Sequence, residues 1–325
     1  MSSAKRQIRL WESAAILLVI IISAALILPV VSRSRTSSRR ASCAGNLKQL
    51  GLVFKMYSNE SKGGKYPTLK RWRPACTHVN PVVDHELIFD GPAVYPEYCT
   101  DANIMICPSD TSAAGIIKRG LWNRQPGDLT STFDACRLTS ISYTYFGWAL
   151  DNDDRVCARN VTPELDTRVD PLQPVGPITG APTITNLNMG YYEANFLTRL
   201  KDILDSQSTN NNEVDKDLTF VIQHPLFDGE SVGDKRKLLQ LKEGIERFLV
   251  RNINNAAATN IGQSELAIMW DNTSTKSGDF NHVPGGSNVL YMDGHVEFVK
   301  FKAALPSSMA WAAVMESVKA ASALS

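Results

Sequence analysis

The hydrophobic pattern divides the chain sharply near its start. Between Glu12 and Arg33 the run SAAILLVIIISAALILPVVS carries no charge. As a helix, 20 such residues extend about 30 Å, the thickness of a bilayer's hydrocarbon core. The pattern then becomes amphipathic. Cys43, Leu47, Leu50, Phe54 and Tyr57 recur at steps of four and three, an apolar stripe along one helical face. Arg39, Arg40, Lys48 and Lys55 take the other faces, and SNESKGGKYP ends the helix near Ser58. The expectation is one long helix, transmembrane over 13–32 and amphipathic over 33–62. It follows a cytoplasmic leader-like segment, 1–12.

Beyond it the periodicity shortens. SISYTYFGWALD (140–151) and DLTFVIQHP read as strands. EANFLTRLKDILDSQS (193–208) reads as a helix using Phe196, Leu200, Ile203 and Leu204. DKRKLLQLKEGIERFLVRNI (234–253) reads as a second amphipathic helix on Leu238, Leu241, Ile245, Phe248 and Leu249. NVLYM-DG-HVEFVKF reads as a hairpin whose Asp293-Gly294 turn is type I′, placing Tyr291 opposite Val296 and Val289 opposite Phe298. The fold class expected is α+β: a transmembrane-then-amphipathic helix packed on an antiparallel β-sheet domain with large insertions. That domain covers 63–305, and 306–325 forms a C-terminal helix.

Charge sharpens this division. Residues 1–40 hold seven basic residues and one acid, Glu12, whereas the remaining chain holds 27 basic and 32 acidic residues. A net charge of +1 leaves no cationic excess for phosphates, which argues against a nucleic-acid partner. Arg33, Arg35, Arg39 and Arg40 follow the apolar run directly, unlike a cleavable signal with a small-residue site. Six cysteines, Cys43, Cys76, Cys99, Cys107, Cys136 and Cys157, all follow the run without a CxxC pair. An even number without zinc-type spacing suits a disulfide framework in an oxidising compartment. The large domain is therefore expected outside the cytoplasm.

Glu12 at the edge of the apolar run, Pro29 seventeen residues later and the amphipathic second half resemble type IV pilins and type II secretion pseudopilins. In that family the acidic residue neutralises a neighbour's N-terminal amine during assembly, and the resemblance puts Glu12 and Pro29 in those places. At the leader-like site, Gln7-Ile8-Arg9-Leu10-Trp11-Glu12 keeps only the family's Leu and Glu. Gln7 stands where the peptidase requires glycine, so cleavage before Ile8 is not expected. ASCAGNLKQLGLVFKMYSNE (41–60), CPSD (107–110), LKEGIERFLVRNINNAAATNIGQSELAIMWDN (241–272) and FNHVPGGSNVLYMDGHVEFVKF (280–301) resemble prepilin-type proteins with a processing-associated H-X9-DG domain. The motif residues here are His282, Asp293 and Gly294, with ten residues between histidine and aspartate. The resemblance implies a Cys43–Cys107 disulfide. The other four cysteines allow three pairings, of which Cys76–Cys99 with Cys136–Cys157 closes the shortest loops.

The function this implies is a structural subunit of a pilus, pseudopilus or related extracellular filament, assembling through its N-terminal helix. Its partners are copies of itself or other pilin-like subunits, an inner membrane and an assembly platform. The location the resemblance implies is single-pass in the inner membrane with the domain in the periplasm, then a cell-surface filament. The alternative is a single-pass anchored extracytoplasmic protein that binds carbohydrate or cell wall. No GxSxG, HExxH, GxGxxG or P-loop pattern appears, so no catalytic residue and no cofactor are assigned. Asp151, Asp153 and Asp154, with Asn152, offer oxygen ligands for calcium, but they lack an EF-hand's glycine and bidentate glutamate. His78 and His85 lack a second pair to complete a zinc site.

Overall fold

A computed structural model describes residues 2–79, 85–110, 113–150, 155–156, 194–211, 213–223, 225, 229–249, 262–274, 280–282, 285–301, 305–308, 311–312 and 314–315. Helix α1 runs unbroken over Ser2–Glu60. Short helices α2 (Gly91–Val94) and α3 (Ala114–Lys118) follow, then strand β1 (Tyr143–Tyr145) and helix α4 (Ala194–Asp205). The chain continues with β2 (Leu218–Val221), β3 (Lys235–Leu238), β4 (Ala267–Asp271), β5 (Gly286–Tyr291) and β6 (Val296–Lys300). The strands form an antiparallel sheet in the order β1-β4-β5-β6 and a separate β2-β3 pair. The architecture is α+β with antiparallel sheets.

The expectation of a transmembrane segment over 13–32, and with it a single-pass inner-membrane location and a periplasmic domain, is overturned. Among the described residues no helix is long and apolar enough to cross a membrane. A hydrocarbon core calls for about 20 consecutive apolar residues. Exposed Arg35, Arg39 and Arg40 follow this part of α1.

The second half of α1 behaves as its stripe requires. Cys43, Leu47, Leu50 and Phe54 are wholly buried, and Tyr57 is half-buried with its ring 5.4 Å from that of Tyr98. Gly51 permits the close approach of α1 to β5: a Cβ there would stand 3.0 Å from Leu290 Cδ1. Phe54 meets Phe89 and Tyr145, with ring centroids 5.3 and 5.2 Å away. Strand β4 is paired on both sides, and all five of its residues, AIMWD, are buried. A second aromatic group joins Phe146 to Trp148 and Trp311, and Trp311 to Trp270. It docks the described residues of 311–315 on the sheet; most of the expected C-terminal helix lies outside the described residues.

Three expectations about elements need correction. The strand expected over 140–151 stops at Tyr145, because Gly147 at φ +79° turns the chain and Trp148 then bridges to Gln240. Over its described residues, 234–249, the helix expected over 234–253 is instead β3, a turn at Gly244 with φ +73°, and one 3-10 turn, Ile245–Phe248. Its leading residues alternate: Lys235 and Lys237 are exposed, while Arg236 and Leu238 are buried. Leu238 pairs with Leu218 across the β2-β3 ladder. The hairpin exists, but its register differs by one residue. Leu290 stands opposite Val296, and Val289 opposite Glu297. A type I′ turn needs φ > 0 at both central residues, whereas Asp293 is not in that region and Gly294 is, at +92°. Tyr291 N–H donates to the His295 carbonyl and Gly294 N–H to that of Tyr291, so the connection is a longer turn with a left-handed glycine.

Candidate functional site at the joint between α1 and the sheet

The densest buried chemistry lies where α1 meets β4 and β5. Helix α1 supplies Cys43, the CPSD turn supplies Cys107, β4 ends in Asp271, the segment before β5 supplies His282, and β5 supplies Asn288. Each is at most 3% exposed. Cys43 and Cys107 are joined in a disulfide with Cα atoms 5.0 Å apart. Around it, Asp271 Oδ2 accepts from the Asn288 backbone N–H at 2.9 Å and from Asn288 Nδ2 at 2.7 Å. His282 Nε2 lies 2.9 Å from that oxygen, 3.0 Å from Asn288 Nδ2 and 3.7 Å from Cys107 Sγ.

The surrounding residues hold this cluster in place. The His282 ring packs edge-on to Phe298, and the Arg40 guanidinium lies 4.5 Å from the Phe298 ring centre. Asn46, one turn beyond Cys43, donates to the Ile106 carbonyl at 2.9 Å. Asp110 of CPSD accepts from Ser142 Oγ and from Ala113 N–H, fixing the turn that carries Cys107. The Tyr143 phenol is pushed well up, first by burial and then by the charge of Asp271. With burial this complete, the His282–Asp271 pair is closed to a substrate. It is a joint, fastened covalently by one bond and by polar contacts.

The second disulfide joins Cys76 to Cys136, with Cα atoms 5.4 Å apart. This corrects the shortest-loop pairings Cys76–Cys99 and Cys136–Cys157. The 3-10 turn Pro74–Cys76 and the turn Ala135–Arg137 are brought together by His78 Nε2 on Asp134 Oδ2 at 2.5 Å. Asp134 also accepts from Cys136 N–H. Topology therefore outweighs loop length. Cys99 is a buried free thiol, pushed up by burial, and Cys157 lies outside the described residues. His85 pairs with Asp205 at 2.7 Å.

The motif residues separate. His282 enters the joint, while Asp293 and Gly294 form the β5-β6 turn, where Asp293 Oδ1 accepts from His295 N and faces His295 Nδ1 at 2.6 Å. Gln7, Ile8, Glu12 and Pro29 lie within α1, and their side chains are outside the described residues. So are the calcium candidates Asp151, Asp153 and Asp154. Two members of the joint, Asp271 and Asn288, were not singled out from sequence. The available signal was a carboxylate ending the apolar run AIMW, since an ionisable group in such a strand must find partners. No protein-family model, curated protein or solved structure matches this chain.

Proposed function

We propose that the chain is a structural subunit of a pilus, pseudopilus or related filament, and that it assembles with copies of itself through its N-terminal helix. The observation that carries this is the row Ile16–Ile22 with Leu26–Leu28, whose side chains are 50–67% exposed. Contiguous apolar surface of this kind marks an interaction site, and the helix bearing it is continuous with the half that the domain buries from Cys43 onward. In a helical assembly, each copy covers the row of its neighbour, an arrangement that propagates as a filament. The domain's own core does not use these residues.

The test is sheared surface filaments viewed by electron microscopy and probed with antibody to this chain. Wild-type filaments are expected to label along their length. Ile20→Asp is expected to abolish incorporation while leaving the circular dichroism of the domain unchanged, and Glu12→Ala is expected to impair it. Filaments that never contain the protein would overturn the proposal, as would normal incorporation of Ile20→Asp.

A further inference from the structure

We infer that the joint is also a zinc site: when the Cys43–Cys107 disulfide is reduced, Cys43, Cys107, Asp271 and His282 bind one Zn²⁺. The ligand atoms of these four residues all lie within 4.8 Å of one another, and all four residues are buried. A tetrahedral zinc with arms of 2.0–2.3 Å sets its ligands about 3.3–3.8 Å apart. Small shifts of the two sulfurs, once unbonded, suffice. Two thiolates, an imidazole and a carboxylate form a complete four-donor set, and that donor set favours zinc over the hard cations.

The polar contacts around His282 give independent support, because they do not close among themselves. Asp271 Oδ2, His282 Nε2 and Asn288 Nδ2 lie within 2.7–3.0 Å of one another. An amide nitrogen only donates. If Nε2 carries a lone pair, it accepts from Asn288 but faces a carboxylate oxygen. If Nε2 carries a hydrogen, it faces the amide N–H instead. Turning the amide over puts its oxygen against the carboxylate. With an ionised carboxylate, every arrangement leaves one contact between like groups. A cation seated between the lone pair, the carboxylate and the sulfurs turns that repulsion into attraction, with Asn288 then donating to Asp271 alone. Asp271 Oδ1 and His282 Nδ1 are buried without a hydrogen-bond partner among the described residues, so the carboxylate has acceptor capacity to spare.

The step balances simply. A dithiol reductant supplies two electrons and two protons, breaking the S–S bond and leaving thiols at Cys43 and Cys107 while the reductant becomes a disulfide. Zn²⁺ then replaces the two thiol protons, which pass to solvent. Either form fastens α1 to the sheet, so the joint stays closed in oxidising and in reducing surroundings.

Cobalt(II) is the probe, used on the full chain reduced anaerobically with dithiothreitol and then desalted. The expected result is one equivalent of Co²⁺ showing thiolate charge-transfer and tetrahedral d–d bands, displaced by one equivalent of Zn²⁺. The same spectrum is expected in Cys76→Ser/Cys136→Ser, and none in Cys43→Ser/Cys107→Ser. His282→Gln should weaken binding by at least about 100-fold, beyond the 10–100-fold of a typical outer-shell change. A second readout needs no variant: in the reduced wild-type protein, zinc should protect Cys43 and Cys107 from alkylation while chelator restores labelling. Absence of the charge-transfer bands, their loss in Cys76→Ser/Cys136→Ser, or equal labelling of Cys43 and Cys107 with and without zinc would overturn the inference.

Discussion

Asp293 shows how one side chain sets a turn. Burial works against its charge, but donation from the His295 backbone and ring outweighs that, and the carboxyl is held below its ordinary range. The Tyr291 and His295 rings stack 4.4 Å apart over the turn. A depressed carboxyl stabilises the fold above the unfolded value, about 4, and that contribution is lost as pH falls through the lower folded value. Asp293→Ala is therefore expected to cost about 0.5 kcal/mol near neutral pH, because solvent screens this partly exposed carboxylate, with the gap to wild type closing in acid. Urea unfolding across a pH series measures this, and a gap independent of pH would refute the role given to Asp293. At this scale the sequence was partly legible. Cysteine and histidine announce their chemistry, so Cys43, Cys107 and His282 stand out. Asp271 and Asn288 are common residue types, and only the sheet shows that their functional atoms converge.

At the scale of elements, legibility depended on whether one period alone fitted. In α1 the spacing from Cys43 to Phe54 fits only a helix, and that face is buried. From Leu238 to Leu249 the apolar positions also fit a helix, yet β3 takes the first of them because alternation from Lys235 matches the β2 ladder. Arg236 is the telling residue: a helix would turn it outward, whereas here it is buried and ion-paired with Glu230. The hairpin was recognised by composition but misplaced by one residue, because the type I′ rule assumes a two-residue loop. Its far end begins at Gly286. Gly286 has φ +140°, and a Cβ there would meet Phe298 Cζ at 2.6 Å and the Val299 carbonyl at 2.7 Å. Gly294 has φ +92° with open space around it. Backbone strain alone costs Gly294→Ala about 1–2 kcal/mol. Gly286→Ala adds a steric clash inside the ladder, raising the loss to about 2–4 kcal/mol. Equal losses for the two variants in chemical denaturation would show that the clash at Gly286 is relieved without cost.

At the scale of the whole molecule, the two disulfides among the described residues divide the work of holding the chain together. Cys43–Cys107 spans 64 residues and ties α1 to the sheet; Cys76–Cys136 spans 60 and closes the proline- and cysteine-rich region before β1. On the chain-entropy model a loop of either length contributes about 4 kcal/mol. Among the described residues, the region closed by Cys76–Cys136 has few regular elements, namely α2, α3 and 3-10 turns. Its order rests on polar pairs such as half-buried Arg73 with buried Asp90, whose carboxyl is pushed up by burial against the pull of Arg73. A region with so little regular backbone pairing should depend on its crosslink more than the sheet does. Cys76→Ser/Cys136→Ser is expected to lose about 2–5 kcal/mol and to become sensitive to limited proteolysis within 65–137. Helix α1 should stay docked, because its contacts with β5 and the first disulfide are untouched. Peptide mapping of the unreduced wild-type protein supplies the companion measurement, with Cys76 linked to Cys136 and the Cys99 thiol alkylated only after denaturation. A Cys76–Cys99 peptide, or a variant as resistant to protease as the wild type, would mean that the polar pairs order this region without the crosslink shown here.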